Sequence, residues 1–101
     1  MKKYIMELTN MKGGCTINRE RVTPTKGYMV GVKGYDTLDN MLKAELKDNE
    51  YYGTWKDMED NGKVYFDIST NIIDKEQAIE LAKKRHELAI FDIENCESIY
   101  V

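Results

Sequence analysis

His86 is the single histidine of this 101-residue chain, and Cys15 and Cys96 are its two cysteines. Acid–base or nucleophilic chemistry would have to rest on these three and on the carboxylates. A catalytic His needs a Cys or Ser within reach and a carboxylate to orient it. Cys15, Cys96 and Asp92 are the candidate partners, and nothing in their spacing unites them. His86 falls near the end of a predicted helix beside Lys83, Lys84 and Arg85, where cations complement the helix dipole. It reads as structural, so the chain reads as a non-enzyme without catalytic residues. Gly13-Gly14 after Lys12 lacks the longer Walker frame that would cradle a phosphate, and it reads as a hairpin turn. Neither a zinc cluster nor a calcium-loop frame is present, since Asp57, Glu59 and Gly62 do not fit the alternation that calcium requires. No metal and no cofactor is expected. A Cys15–Cys96 disulfide is geometrically open, but two reduced thiols is the simpler reading.

Two groups of residues suit binding better than catalysis. Tyr51, Tyr52 and Trp55 precede Asp57, Glu59 and Asp60. Tyr and Trp are favoured anchors of protein interfaces, and the acids form a loop beside them. On a strand Tyr51, Gly53 and Trp55 share one face, and Tyr52 and Thr54 share the other. One face is then core and the other a candidate partner-binding patch. The second group is Lys12, Arg19, Arg21, Lys26 and Lys33, near Tyr28 and Tyr35. Basic residues among aromatics on strands can hold single-stranded nucleic acid by phosphate contact and stacking. The net charge of −3 hides this asymmetry: residues 1–36 carry +4 and residues 37–101 carry −7. A sequence pI near 5.2 is opposite to the usual nucleic-acid footprint.

The elements that must position these residues follow from periodicity. One domain is expected at this length, with enough core to fold without metal or disulfide support. Lys3–Thr9 reads as a first strand and Asn10–Gly14 as a turn. Cys15–Val22 reads as a second strand pairing back on the first, which makes a basic N-terminal hairpin. Pro24-Thr25-Lys26-Gly27 is the next turn, and Tyr28–Val32 a third strand. Gly31 inside that strand signals a bulge or a close approach to the backbone. Thr37 caps a helix over Leu38–Asp48 with Leu38, Met41, Leu42 and Leu46 inward, stopping at Asn49. Tyr52–Lys56 and Lys63–Ile68 are strands joined by an acidic loop. Asp74 and Gln77 then open a second helix in capping-box spacing. Its stripe runs through Ala78, Leu81, Ala82, Arg85, Leu88 and Ala89, which places Leu81 and Leu88 in the core. Ala89–Ile93 and Ser98–Val101 close the chain as a hairpin. The expected fold is α+β, a largely antiparallel sheet with two helices in the order β-β-β-α-β-β-α-β-β. The last strand should lie on a sheet edge, open to a homodimer mate or a partner strand.

Gly27-Tyr28-Met29-Val30-Gly31-Val32, Gly53-Thr54-Trp55, Val64-Tyr65-Phe66-Asp67 and Ala89-Ile90-Phe91-Asp92 resemble small accessory proteins of phages and mobile elements of Gram-positive bacteria. The likeness spans roughly residues 27–101, and its motifs are structural. Proteins of that kind are often inhibitors of host defence, of anti-CRISPR or DNA-mimicking anti-restriction type. The resemblance therefore implies a binding protein acting in the host cytoplasm on a larger target such as a defence nuclease complex. A net charge of −3 is less acidic than DNA mimicry requires. Two other functions fit the residues: a nucleic-acid-binding accessory factor using the basic hairpin, and a protein that sequesters a nucleotide signal. No apolar run is long enough for a membrane span, and the N-terminus lacks the apolar core of a signal peptide, so a cytoplasmic monomer or homodimer is expected.

Overall fold

The computed structural model describes residues 1–101. The chain runs α1 (Lys2–Lys12), β1 (Gly14–Ile17), β2 (Tyr28–Tyr35), α2 (Leu38–Lys43), β3 (Glu50–Asp57), β4 (Lys63–Ile72), α3 (Lys75–Lys84), β5 (Ala89–Asp92) and β6 (Glu97–Tyr100). The strands form one six-stranded sheet in the order β1-β3-β4-β2-β5-β6, antiparallel at every pairing. The α+β class and the antiparallel sheet are as expected, and from β1 onward the element order agrees.

The first element differs: Lys2–Lys12 is a helix. Met1, Tyr4, Ile5, Leu8 and Thr9 fall on one side of it and pack inward, at the i, i+3, i+4, i+7, i+8 spacing of an amphipathic helix. Thr9 is fully buried, and its hydroxyl donates to the Ile5 carbonyl. Gly13, at φ 84°, takes the left-handed conformation that ends the helix, and its N–H bonds to the Thr9 carbonyl. The glycine pair is thus a helix stop followed by a strand, and no N-terminal hairpin exists. β1 pairs with β3 instead.

α2 is also shorter than expected. Thr37 caps it, accepting from the Asn40 N–H, but the chain turns extended at Ala44. The freed carbonyls find tertiary donors. Arg19 donates to the Leu42 carbonyl at 2.6 Å, and the Tyr52 hydroxyl donates to that of Ala44 at 3.1 Å. Asn49 does adopt positive φ, at the entry to β3, where its carbonyl accepts from the Asn71 N–H.

All three helices lie on one face of the sheet. α1 and α2 cover Ile17, Tyr52 and Ile68, while α3 covers Val30 and Ile90 through Ala78 and Ala82. Asp74 caps α3 as expected. Beyond Arg85, His86 sits at φ 59° and closes a Schellman motif: its N–H reaches the Lys83 carbonyl, and that of Glu87 reaches Ala82. The helical period therefore stops before Leu88, which is 81% exposed rather than core. Leu81 packs at the rim of the α3 cluster.

Candidate functional site: the helix-free face

The opposite face of the sheet has no helix over it. Side chains alternate along each strand, so register identifies what this face carries. Trp55 stands opposite Tyr65, Gly53 opposite Asp67, and Tyr51 opposite Ser69. On the far side of β4, Gly34 lies beside Asp67, Gly31 beside Ser69, and Met29 beside Asn71. Phe91 neighbours Met29, and Ser98 neighbours Phe91. Asp67 thus has glycine as its cross-strand neighbour on both sides. The sheet curls enough that Thr16, on one edge strand, and Ser98, on the other, line the same cleft of about 500 Å³. Met29, Trp55, Phe91, Gly53, Asp67 and Ser69 line it as well.

Gly53 leaves part of that space open, and the Asp67 carboxylate stands in it. A Cβ on Gly53 would meet the Asp67 carboxylate, and one on Gly31 would meet the Glu87 carboxylate. Gly31 marks both features expected of it, since β2 also slips register between Gly31 and Lys33. Arg85, from the helix-covered side, donates to the Val30 and Gly31 carbonyls and to the Thr70 hydroxyl at this irregularity. Asp67 keeps contact with solvent, yet protein crowds its carboxyl. That desolvation, joined by the nearby charge of Glu87, raises its pKa from 3.8 to about 6, against a smaller opposing effect of the Ser69 hydroxyl. Neither carboxylate has a salt-bridge partner, because the only ion pair of the molecule is Lys2–Asp39.

At the mouth of the cleft stands the β3–β4 hairpin. Trp55 is 58% exposed and stacks on Tyr65 with ring centroids 5.6 Å apart. Lys63 lies over the Tyr65 ring, and the Tyr65 hydroxyl points to Asp60. Asp57 caps the short 3₁₀ turn Met58–Asp60 by accepting from the Glu59 N–H, and Met58 is exposed at the tip. Of the expected partner-binding residues, Trp55, Asp57, Glu59 and Asp60 share this hairpin, and Tyr51 lies on the same sheet face. Tyr52 does not belong with them. Its neighbours alternate as expected, but it is fully buried against α1 and α2.

The basic group is dispersed. Lys12 ends α1, Arg19 and Arg21 lie in the β1–β2 loop, Lys26 precedes β2, and Lys33 is on β2. Arg19 is engaged by the α2 carbonyls and lies over the Tyr52 ring, and Arg21 sits 4.3 Å from the Tyr4 ring centroid. Both arginines fasten the loop to the helices. Asp92 is buried and bonded to Asn95, while Cys15 lies on one edge strand and Cys96 in the β5–β6 turn next to the other. Both thiols are free. No group of three or more His, Cys, Asp or Glu is placed to hold a metal ion, and no helix is long and apolar enough to cross a membrane.

Comparison with protein-family models, with curated proteins and with solved structures finds no match to this chain. The site is therefore read from its own geometry. Asp67, Ser69, Glu87, Met29 and Phe91 were not singled out by sequence reasoning. The available signal was the set of glycines inside strands, at positions 31, 34 and 53, which mark a sheet face kept free of side chains.

Proposed function

We propose that this protein is a non-enzymatic binding protein that docks on a larger protein through its helix-free face and the β3–β4 hairpin. The observation that carries the reading is the exposed Trp55–Tyr65 stack beside an open cleft, on a face that nothing in the chain covers. Large aromatics held rigid and half-exposed gain much apolar contact at small entropic cost. Asp57, Glu59 and Asp60 at the hairpin tip favour a basic rim on the partner. The resemblance to accessory proteins of mobile elements makes a defence nuclease complex the first target to test.

The two other functions have less support. Arg19 and Arg21 are committed to internal contacts, which weakens a phosphate-binding role for the N-terminal segment. A nucleotide is anionic and would meet the unpaired Asp67 carboxylate in the cleft, with the charge of Glu87 close behind it. The test is affinity capture with wild type and with Trp55→Ala, paired with a salt titration. A partner protein held by wild type, lost by Trp55→Ala and little weakened by salt supports the reading. Retention of the same partner by a folded Trp55→Ala overturns it, and a steep salt dependence with co-eluting nucleic acid favours phosphate binding.

A further inference from the structure

We propose that the cleft on the helix-free face is a site for an organic cation on an apolar stem, filled in the complex by an Arg side chain of the partner. The inference rests on the docking reading and gives the cleft its ligand chemistry. Three features converge. The cleft holds about 500 Å³, room for one long side chain. Its apolar walls are Met29, Trp55 and Phe91, with Trp55 and Phe91 presenting aromatic surface that attracts a cation as well as a hydrocarbon stem. Its one charged lining group is the Asp67 carboxylate, with hydroxyls of Thr16, Ser69 and Ser98 around it, the Glu87 carboxylate lies near Asp67 outside the lining, and no lysine or arginine lines the cleft. A planar guanidinium satisfies such acceptors with several N–H groups at once, as a lysine ammonium does less well.

The glycines support the same conclusion. With Gly53 and Gly34 as its cross-strand neighbours, Asp67 has no cross-strand side chain on either side of it. Two carboxylates brought together without a counter-ion repel, and the raised pKa of Asp67 reflects first its crowding and then that repulsion. An incoming guanidinium relieves it.

The probe is N-acetyl-arginine amide, with N-acetyl-norleucine amide as its uncharged counterpart and agmatine as a free cation. Backbone amide NMR of the whole chain at neutral pH reads the result. Saturable shifts at Gly53, Asp67, Ser69 and Phe91 with the arginine probe, absent with norleucine, are expected. Asp67→Asn and Glu87→Gln should each weaken binding by about tenfold while leaving the spectrum folded. Binding of agmatine alone would reassign the cleft to a free cation and overturn the side-chain occupant. Absence of shifts with either cation, or equal binding to both charge variants, overturns the site itself. Docking is scored apart, through Trp55→Ala capture, so a silent cleft with Trp55-dependent capture leaves the docking reading standing.

Discussion

The two faces of the sheet are built from the same strands and do opposite things. On the covered face, β3 contributes Tyr52 and Thr54, both buried, and their polar atoms are satisfied: the Tyr52 hydroxyl by Ala44, the Thr54 hydroxyl by Thr9 and by the Cys15 N–H. One residue away, the same strand offers Gly53 and Trp55 to the open face. No buried side-chain polar atom in the molecule lacks a partner, while two carboxylates on the open face lack any counter-ion. Stability is concentrated on one side and unspent interaction capacity on the other. Alternation at period two permits this division, because neither face constrains the residue types of the other.

The largest predicted effect tests the covered face. Ile17→Ala empties a fully buried position between α1, α2 and β3, and should cost about 2–5 kcal/mol in urea denaturation. Trp55→Ala, on the open face, should cost about 1 kcal/mol or less, the value of a partly exposed aromatic pair. Equal losses would break the division between faces.

A pair of glycine substitutions sharpens it. A Cβ on Gly14 meets the Thr54 carbonyl oxygen, which is backbone and cannot step aside, so Gly14→Ala should lose about 1–3 kcal/mol. Gly53→Ala meets only the end of the Asp67 side chain and should change stability by less than about 1 kcal/mol, while weakening cation binding in the cleft. If Gly53→Ala unfolds the protein, the open face carries packing that its geometry does not suggest.

Smaller effects follow from the α3–β5 connection. His86→Gly relieves a left-handed residue at the helix stop and should raise stability by about 0.5–1 kcal/mol without altering partner capture. Loss of function in that variant would reopen a chemical role for His86. Leu88→Ala should fall within about 0.5 kcal/mol of wild type, because its side chain is in solvent.

A further small effect is a pH dependence. Asp67 has a folded pKa of about 6 against an ordinary value of 3.8. Between those values the folded state keeps a proton that the unfolded state has lost, so this group's contribution to stability falls as pH rises through the window. Solvent access limits the change to less than about 1 kcal/mol. Asp67→Asn should remove it, seen as a flatter dependence of the urea midpoint on pH. A variant with an unchanged profile would place the raised pKa elsewhere.

What the sequence by itself determined are the features written in a few adjacent residues. Thr37 and Asp74 cap their helices, Gly27 takes positive φ in its turn, and the alternation in 51–55 puts Tyr52 and Trp55 on opposite faces of the sheet. Each depends on local backbone hydrogen bonds or on strand period, so neighbours in sequence suffice. Tertiary structure decided the rest. Lys2–Lys12 is compatible with either period at its apolar positions, and it is helical because Met1, Tyr4, Ile5 and Leu8 find a core only when they share a helix face against β1 and β3. The end of α2 is set by Arg19, from the β1–β2 loop, and Tyr52, on β3, which take the carbonyls of Leu42 and Ala44. Beyond its in-strand glycines the cleft has no local signature, since β1, β2, β3, β4, β5 and β6 all supply its lining. Only the sheet order brings Asp67 between Gly53 and Gly34, and Glu87 to its side, and that order is not encoded by the spacing within any one strand.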